Sequence, residues 1–238
     1  HSTAFFILHL WERYFSACLK RKLVPNENKK RMNFRYGLTF TFLLIIHTVS
    51  IFAQTEWTVQ KVKDGIKISS RHSSSSPFND IRVELDLVGN VEQLGAILVD
   101  VAKYKEWSYA TKVSKLTKTL GPGHFIYYNE IEVPWPATNR YFYANFELKR
   151  NPADRSMQVI AVNIPNYEPM PKDLVQVPLT RGTWNITTNT KKSIHVDYIL
   201  EMNPGGSLPV WVLNLFSTKG PLESFENLKQ KMSDLNPR

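Results

Sequence analysis

The stretch Leu208-Pro-Val-Trp-Val-Leu-Asn-Leu-Phe216, continuing through Gly220-Pro221 to Leu222, Phe225, Leu228, Met232 and Leu235, restricts the folds open to this chain more than any other part. In its second half the apolar residues recur at intervals of 3, 3, 4 and 3, the single stripe of a helix with one dry and one wet face. In the first half only Pro209 and Asn214 are not large and apolar, so a helix there is oily around most of its circumference and needs cover on two sides. One side can rest on a sheet. The other must meet a loop, a partner or a ligand, and the residues leave that choice open. Pro209 suits a first helical turn. Gly220-Pro221 is expected to break or bend the run, because Pro221 has no backbone donor. From Leu208 to Leu235 a helix would measure about 42 Å at roughly 1.5 Å per residue.

Upstream of that stretch the pattern is one of strands. Trp57 to Val62 and Ile66 to Ile68 flank Asp64-Gly65, a hairpin signal. Ile81, Val83, Leu85 and Leu87 alternate with Arg82, Glu84 and Asp86, as in a half-buried strand. Asn90 is placed to cap a helix through Val91, Leu94, Leu98, Val101 and Ala102 that ends near Tyr104 to Trp107. Strands are then expected over 112–120, 125–133, 140–150 and 156–164, each closed by Gly or Pro. Pro165 to Pro171 holds three prolines and reads as a stiff loop. Two further amphipathic strands carry Gly182, Trp184 and Ile186, then Ile194, Val196, Tyr198, Leu200 and Met202. Runs of strands flanked by helices, rather than strict alternation, predict an α+β domain with helices on one face of an antiparallel sheet.

The front of the chain differs in kind. Residues 32–53 carry Arg35 in a short basic head, an apolar run from Leu38 to Phe52 and Ala53 before Gln54, the order of a secretory signal peptide. Export to a secreted or periplasmic location follows as an expectation. Residues 1–31 precede that signal and contain no methionine, so they are expected to be a non-native upstream extension. The domain proper is 54–238. Of the chain's 30 Lys and Arg and 21 Asp and Glu, residues 1–53 hold 8 and 2, which leaves 22 against 19, or +3. So small an excess gives no nucleic-acid signal. The single cysteine, Cys18, lies in that front part, so residues 54–238 can form neither disulfides nor thiolate metal sites.

Candidate chemistry is sparse. His72, His124 and His195 are far apart in sequence, with no metal-ligand or relay spacing. His195 has the polar parity of its strand and reads as a surface residue. Glu130 and Glu132 share one strand face, which reads either as a two-carboxylate site or as an ordinary ion-paired or exposed face. No catalytic residue, metal or cofactor is assigned.

Five words of the sequence stand out together: Asp64 to Ile68, Asp100 to Trp107, Tyr127-Tyr128, Pro134-Trp135-Pro136 through Asn139-Arg140, and Pro204-Gly205-Gly206 through Asn214. In combination they resemble the START (StAR-related lipid-transfer) domain family, in the version found in bacterial secreted proteins. The resemblance covers about Trp57 to Leu235. It implies a helix-grip fold, a curved antiparallel sheet wrapped around a long C-terminal helix enclosing an apolar cavity. A lipid or other hydrophobic molecule is then the implied partner, with transient contact with a membrane. The implied cavity residues are Trp135, Arg140, Phe142, Trp184, Tyr198, Met202, Trp211, Leu215 and Phe216; apart from the resemblance, Trp135 reads as a rigid loop packed into the core or an aromatic lip, and Arg140 as a tie from that loop to backbone carbonyls. Two departures stand out. Asn139-Arg140-Tyr141 replaces the family's frequent Asp-Arg-Asp, and Phe146 stands where sterol carriers have an arginine opposite an acid at Glu130, so a sterol is not implied. Relatives on this scaffold also run cyclase and hydratase chemistry. That makes an enzyme acting on a hydrophobic substrate through Glu130 the alternative, with a solid-cored interaction module as a third reading.

Overall fold

Asp64 and Gly65, at φ 50° and 80°, close the hairpin that the sequence signals there. It joins strands β1 (Thr58–Lys63) and β2 (Ile66–His72), and β3 (Asn79–Val88) pairs antiparallel with β2. These coordinates are a computed structural model that describes residues 56–169 and 171–237. The upstream extension at 1–31 and the signal peptide at 32–53 lie outside the described residues.

Asn90 caps helix α1 (Val91–Val99) as its position suggests. Its side chain accepts from the Gln93 amide while the Gln93 side chain accepts from the Asn90 amide, so two end donors are satisfied at once. A tight 3₁₀ segment, Val101–Glu106, follows. Strands β4 (Thr111–Gly121), β5 (His124–Ile131), β6 (Arg140–Asn151), β7 (Ser156–Asn163), β9 (Leu179–Thr190) and β10 (Ser193–Asn203) match the alternating segments of the sequence. A two-residue strand, β8 (Val175–Gln176), pairs parallel with β6 and was not legible. The sheet runs β1-β2-β3-β10-β9-β7-β6-β5-β4. Every neighbouring pair in that order is antiparallel.

The C-terminal helix does not break at Gly220-Pro221. It starts as α2 (Val210–Asn214), widens into a π turn over Leu215–Lys219 and continues as α3 (Gly220–Asp234). Pro221 has no N–H to offer the Ser217 carbonyl four residues back, and just before it the Gly220 N–H bonds Leu215 O, five residues back. Gly220 also brings the backbone close to Tyr109, since a Cβ there would lie 2.7 Å from the ring.

Leu222, Phe225, Leu228 and Met232 of α3 are buried as the stripe requires, whereas Leu235 lies past its end and is exposed. Ion pairs Lys63–Glu226 and Lys231–Glu106, both 2.7 Å, tie the wet face of α3 to the first hairpin and to the 3₁₀ segment. Ser224 Oγ accepts from the Tyr109 amide at 2.8 Å, and Asn227 donates to Trp107 O at 3.2 Å. The fold is therefore α+β, an antiparallel sheet gripping the C-terminal helix.

Register shows where the concave face is solid and where it is not. One cross-strand row reads Met157, Ile186, Val196, Leu85. All four are fully or almost fully buried, and α1 packs over that end, with Gly95 close against Met157. The next row is Val159, Trp184, Tyr198, Val83. The third is Phe146, Ala161, Gly182, Leu200, Ile81. Two of the smallest residues, Ala161 and Gly182, stand at its centre, and the Tyr198 ring leans over Gly182, its hydroxyl 3.2 Å from where a Cβ would stand.

Candidate functional site

Above that third row lies a cavity of about 180 Å³. Ala144, Ala161 and Gly182 form its floor, and Tyr104, Trp107, Tyr127, Phe142, Trp184 and Tyr198 its aromatic walls. Phe216, Gly220, Pro221, Ser224 and Phe225, from the π turn and the start of α3, roof it. A second hollow of about 290 Å³ lies beyond, between Pro77 to Asn79, the end of β10 and the helix residues Leu208, Leu213, Asn214 and Phe216. Leu200, Met202 and Phe216 line both and so form the partition. Specific ligand pockets usually span roughly 300–1,000 Å³. Each hollow alone falls short of that range.

The walls are held by one another. Tyr104 meets Trp107 edge to face at 5.2 Å and Tyr127 at 5.8 Å; Trp184 stacks obliquely on Tyr198 at 4.5 Å and on Phe225 at 5.4 Å. Such aromatic contacts fix ring planes beyond what burial alone does. Tyr104 donates to Leu98 O at 2.6 Å. Burial pushes the phenols of Tyr127 and Tyr198 well above their ordinary range, so both stay protonated. Among the described residues, no Lys, Arg, His, Asp or Glu lines either hollow.

Of the residues implied by resemblance, Phe142, Trp184, Tyr198, Met202 and Phe216 meet at the inner cavity. The other four do not. Trp135 sits in the β5–β6 loop and is 88% exposed. Trp211 is 49% exposed and its neighbour Val210 72%; of this first turn only Val212 is buried. The oily flank is thus uncovered on its outer side. Leu215 opens the π turn away from both hollows. Arg140 is 3% exposed but lies behind the wall, donating to Thr138 O and to Gly205 O, so it ties the β5–β6 loop to the turn before α2.

Glu130 requires a correction as a base facing the cavity. Phe125, Tyr127, Asn129 and Ile131 hold the concave side of β5, with Tyr127, Asn129 and Ile131 on the cavity wall. Glu130 points to the other side, pairs with Lys112 at 2.9 Å and accepts from Asn139 at 3.1 Å. His195 sits beside Asp86 on the surface, and among the described residues no three potential metal ligands cluster.

Sequence reasoning missed Tyr104, Trp107, Tyr127 and Asn129. The available signal was Asn129 itself, a polar residue in the otherwise apolar series Phe125, Tyr127, Ile131. Its buried Oδ1 and the Trp107 Nε1–H have no hydrogen-bond partner among the described residues.

No family model matches the chain. It is 27% identical over 174 residues to an uncharacterized protein of Pseudomonas aeruginosa, across 73% of this chain and 85% of that one. It is 24% identical over 175 residues to the phosphatidylcholine transfer protein of Rattus norvegicus, across 71% and 80%. The solved StAR-related lipid transfer protein of Xanthomonas axonopodis superposes with a TM-score of 0.68 at 25% identity, covering 75% of this chain and 99% of that one.

Proposed function

We propose that this chain, a START-type lipid-transfer domain by fold and by sequence likeness, binds one hydrophobic small molecule beneath its C-terminal helix and carries it between membranes without altering it. The observation that carries the reading is the pair of adjoining hollows, uncharged and largely apolar, parted only by Leu200, Met202 and Phe216. One ligand spanning both would displace that partition and bury its surface at about 25 cal/mol per Å². The π turn supports this: Phe216 belongs to the one part of the helix where the regular ladder is already interrupted.

Carriage would need contact with a bilayer. Val210 and Trp211 offer exposed apolar surface beside Leu208 and Leu213 of the outer hollow, and Trp135 offers more on the loop that Arg140 ties to the same turn. Interfacial tryptophan suits such contact. The test is transfer of a labelled lipid from donor to acceptor vesicles. Transfer proportional to protein is expected, slowed in Trp211→Ser; protein that leaves the spontaneous rate unchanged would overturn the reading.

The site of action proposed is outside the cytoplasm, supported by the order of residues 32–53. N-terminal sequencing of the native protein should begin at Gln54; a retained 32–53 segment would contradict it.

A further inference from the structure

We infer that the cargo is a lipid with a single acyl chain, its tail in the inner cavity and its polar head at the outer hollow. The inference rests on the carrier reading above and names the class of cargo. The two hollows measure about 180 and 290 Å³, together about 470 Å³. An apolar hollow of about 150 Å³ holds one benzene, which is about 25 Å³ per carbon. By that measure the inner cavity takes about seven carbons and the outer hollow about twelve, so the pair takes one chain of about nineteen. Two oleoyl chains would need about 900 Å³, almost twice what both hollows offer.

The chamber has little room to grow. Beside Trp184 and Tyr198 the next cross-strand row, Met157, Ile186, Val196 and Leu85, is almost fully buried, and a close-packed interior does not yield to a second chain. The roof is tied down along α3. Ion pairs fix it to the first hairpin and to the 3₁₀ segment, and Ser224 and Asn227 fix it to the backbone of Tyr109 and Trp107. What can move is the partition of Leu200, Met202 and Phe216, because Phe216 stands in the π turn. Its displacement joins the hollows into one channel.

Exposure sets the direction of the chain. Every described residue that lines the inner cavity is buried or half-buried. Asn79 and Asn214, which line the outer hollow, are exposed, so that hollow borders solvent and carries amide groups at its rim. A head held there keeps its water. Inside, no charged side chain lines either hollow among the described residues, and a hydrated head drawn inward would lose water without gaining a partner. The tail therefore passes Leu200 and Met202 to the aromatic walls.

The test titrates the purified chain with 1-monoacylglycerols of about ten to about twenty-two carbons, and with 1,2-dioleoylglycerol, counting bound lipid by native mass spectrometry. Affinity should rise about fourfold per added methylene and stop rising near nineteen carbons. In Ala161→Phe, whose ring enters the inner cavity, the rise should stop near twelve carbons; if that variant does not fold, the wild-type series decides alone. Dioleoylglycerol should bind no tighter than monooleoylglycerol, since its second chain finds no room. Tighter binding of dioleoylglycerol, a rise that continues through the longest chain, or a stopping point unmoved in folded Ala161→Phe overturns the inference while leaving a carrier. Failure of every lipid to bind overturns the carrier reading as well.

Discussion

Ala161→Phe is expected to reduce lipid uptake by about 100-fold or more while leaving the chain folded, because the ring enters space that the native sequence leaves vacant. Ala161 stands between Phe146 and Gly182 in the cross-strand row beneath the π turn, and its methyl group faces the 180 Å³ cavity. An apolar hollow of about 150 Å³ accommodates one benzene. A phenylalanine ring at 161 therefore takes most of the inner chamber. Overpacking a filled core costs about 1–3 kcal/mol, and a ligand forced to share the chamber meets a penalty at the top of that range or above it; at about 1.4 kcal/mol per factor of ten, roughly 2.8 kcal/mol gives the 100-fold loss stated. The protein itself gains buried apolar area, so its melting temperature should hold or rise. Uptake at the wild-type level would place the ligand elsewhere. A large fall in melting temperature would mean that the region is already packed.

Leu228→Ala carries the largest expected effect on stability, about 3–5 kcal/mol. Leu228 is fully buried at the centre of the α3 stripe, with Phe225 on one side and Met232 on the other. Removing three methyl-sized groups there leaves a void that cannot collapse, because ion pairs and the Asn227 and Ser224 hydrogen bonds hold the helix on both flanks. Urea denaturation should show a lower midpoint with an unchanged slope. Leu235→Ala, at an exposed position of the same stripe, should cost less than about 0.5 kcal/mol. Equal effects for the two would show that the helix does not rest on the sheet as described.

The contrast between Leu228 and Leu235 marks where legibility ends. Period-two alternation located nearly every strand because most are buried on one face only, and the Asn90 cap and the Asp64-Gly65 turn were readable because each is decided by local chemistry. The faces of β5 were not. Phe125, Tyr127 and Ile131 look inward, but Ile126 and Tyr128 are also buried, beneath Tyr143, Ile164, Tyr167 and Leu174 on the outer side. With both parities apolar, alternation could not say that Asn129 rather than Glu130 reaches the cavity.

The cavity was illegible for a related reason. Periodicity reports which side chains turn inward and says nothing of whether they meet. The hollow arises from Ala144, Ala161 and Gly182, which are distant in sequence and become neighbours only through the registers of β6, β7 and β9. Trp135 and Trp211 failed in the opposite sense. Their hydrophobicity suggested burial, but Trp135 lies in a surface loop and Trp211 on the outward side of its helical turn, and both are exposed.

The most direct measurement is native mass spectrometry of the purified chain after equilibration with a total lipid extract, with Ala161→Phe alongside. One lipid bound per wild-type chain, and none on the variant, is the expected result. A wild-type chain that stays ligand-free, or a variant that carries as much as the wild type, would contradict a lipid held over Ala161.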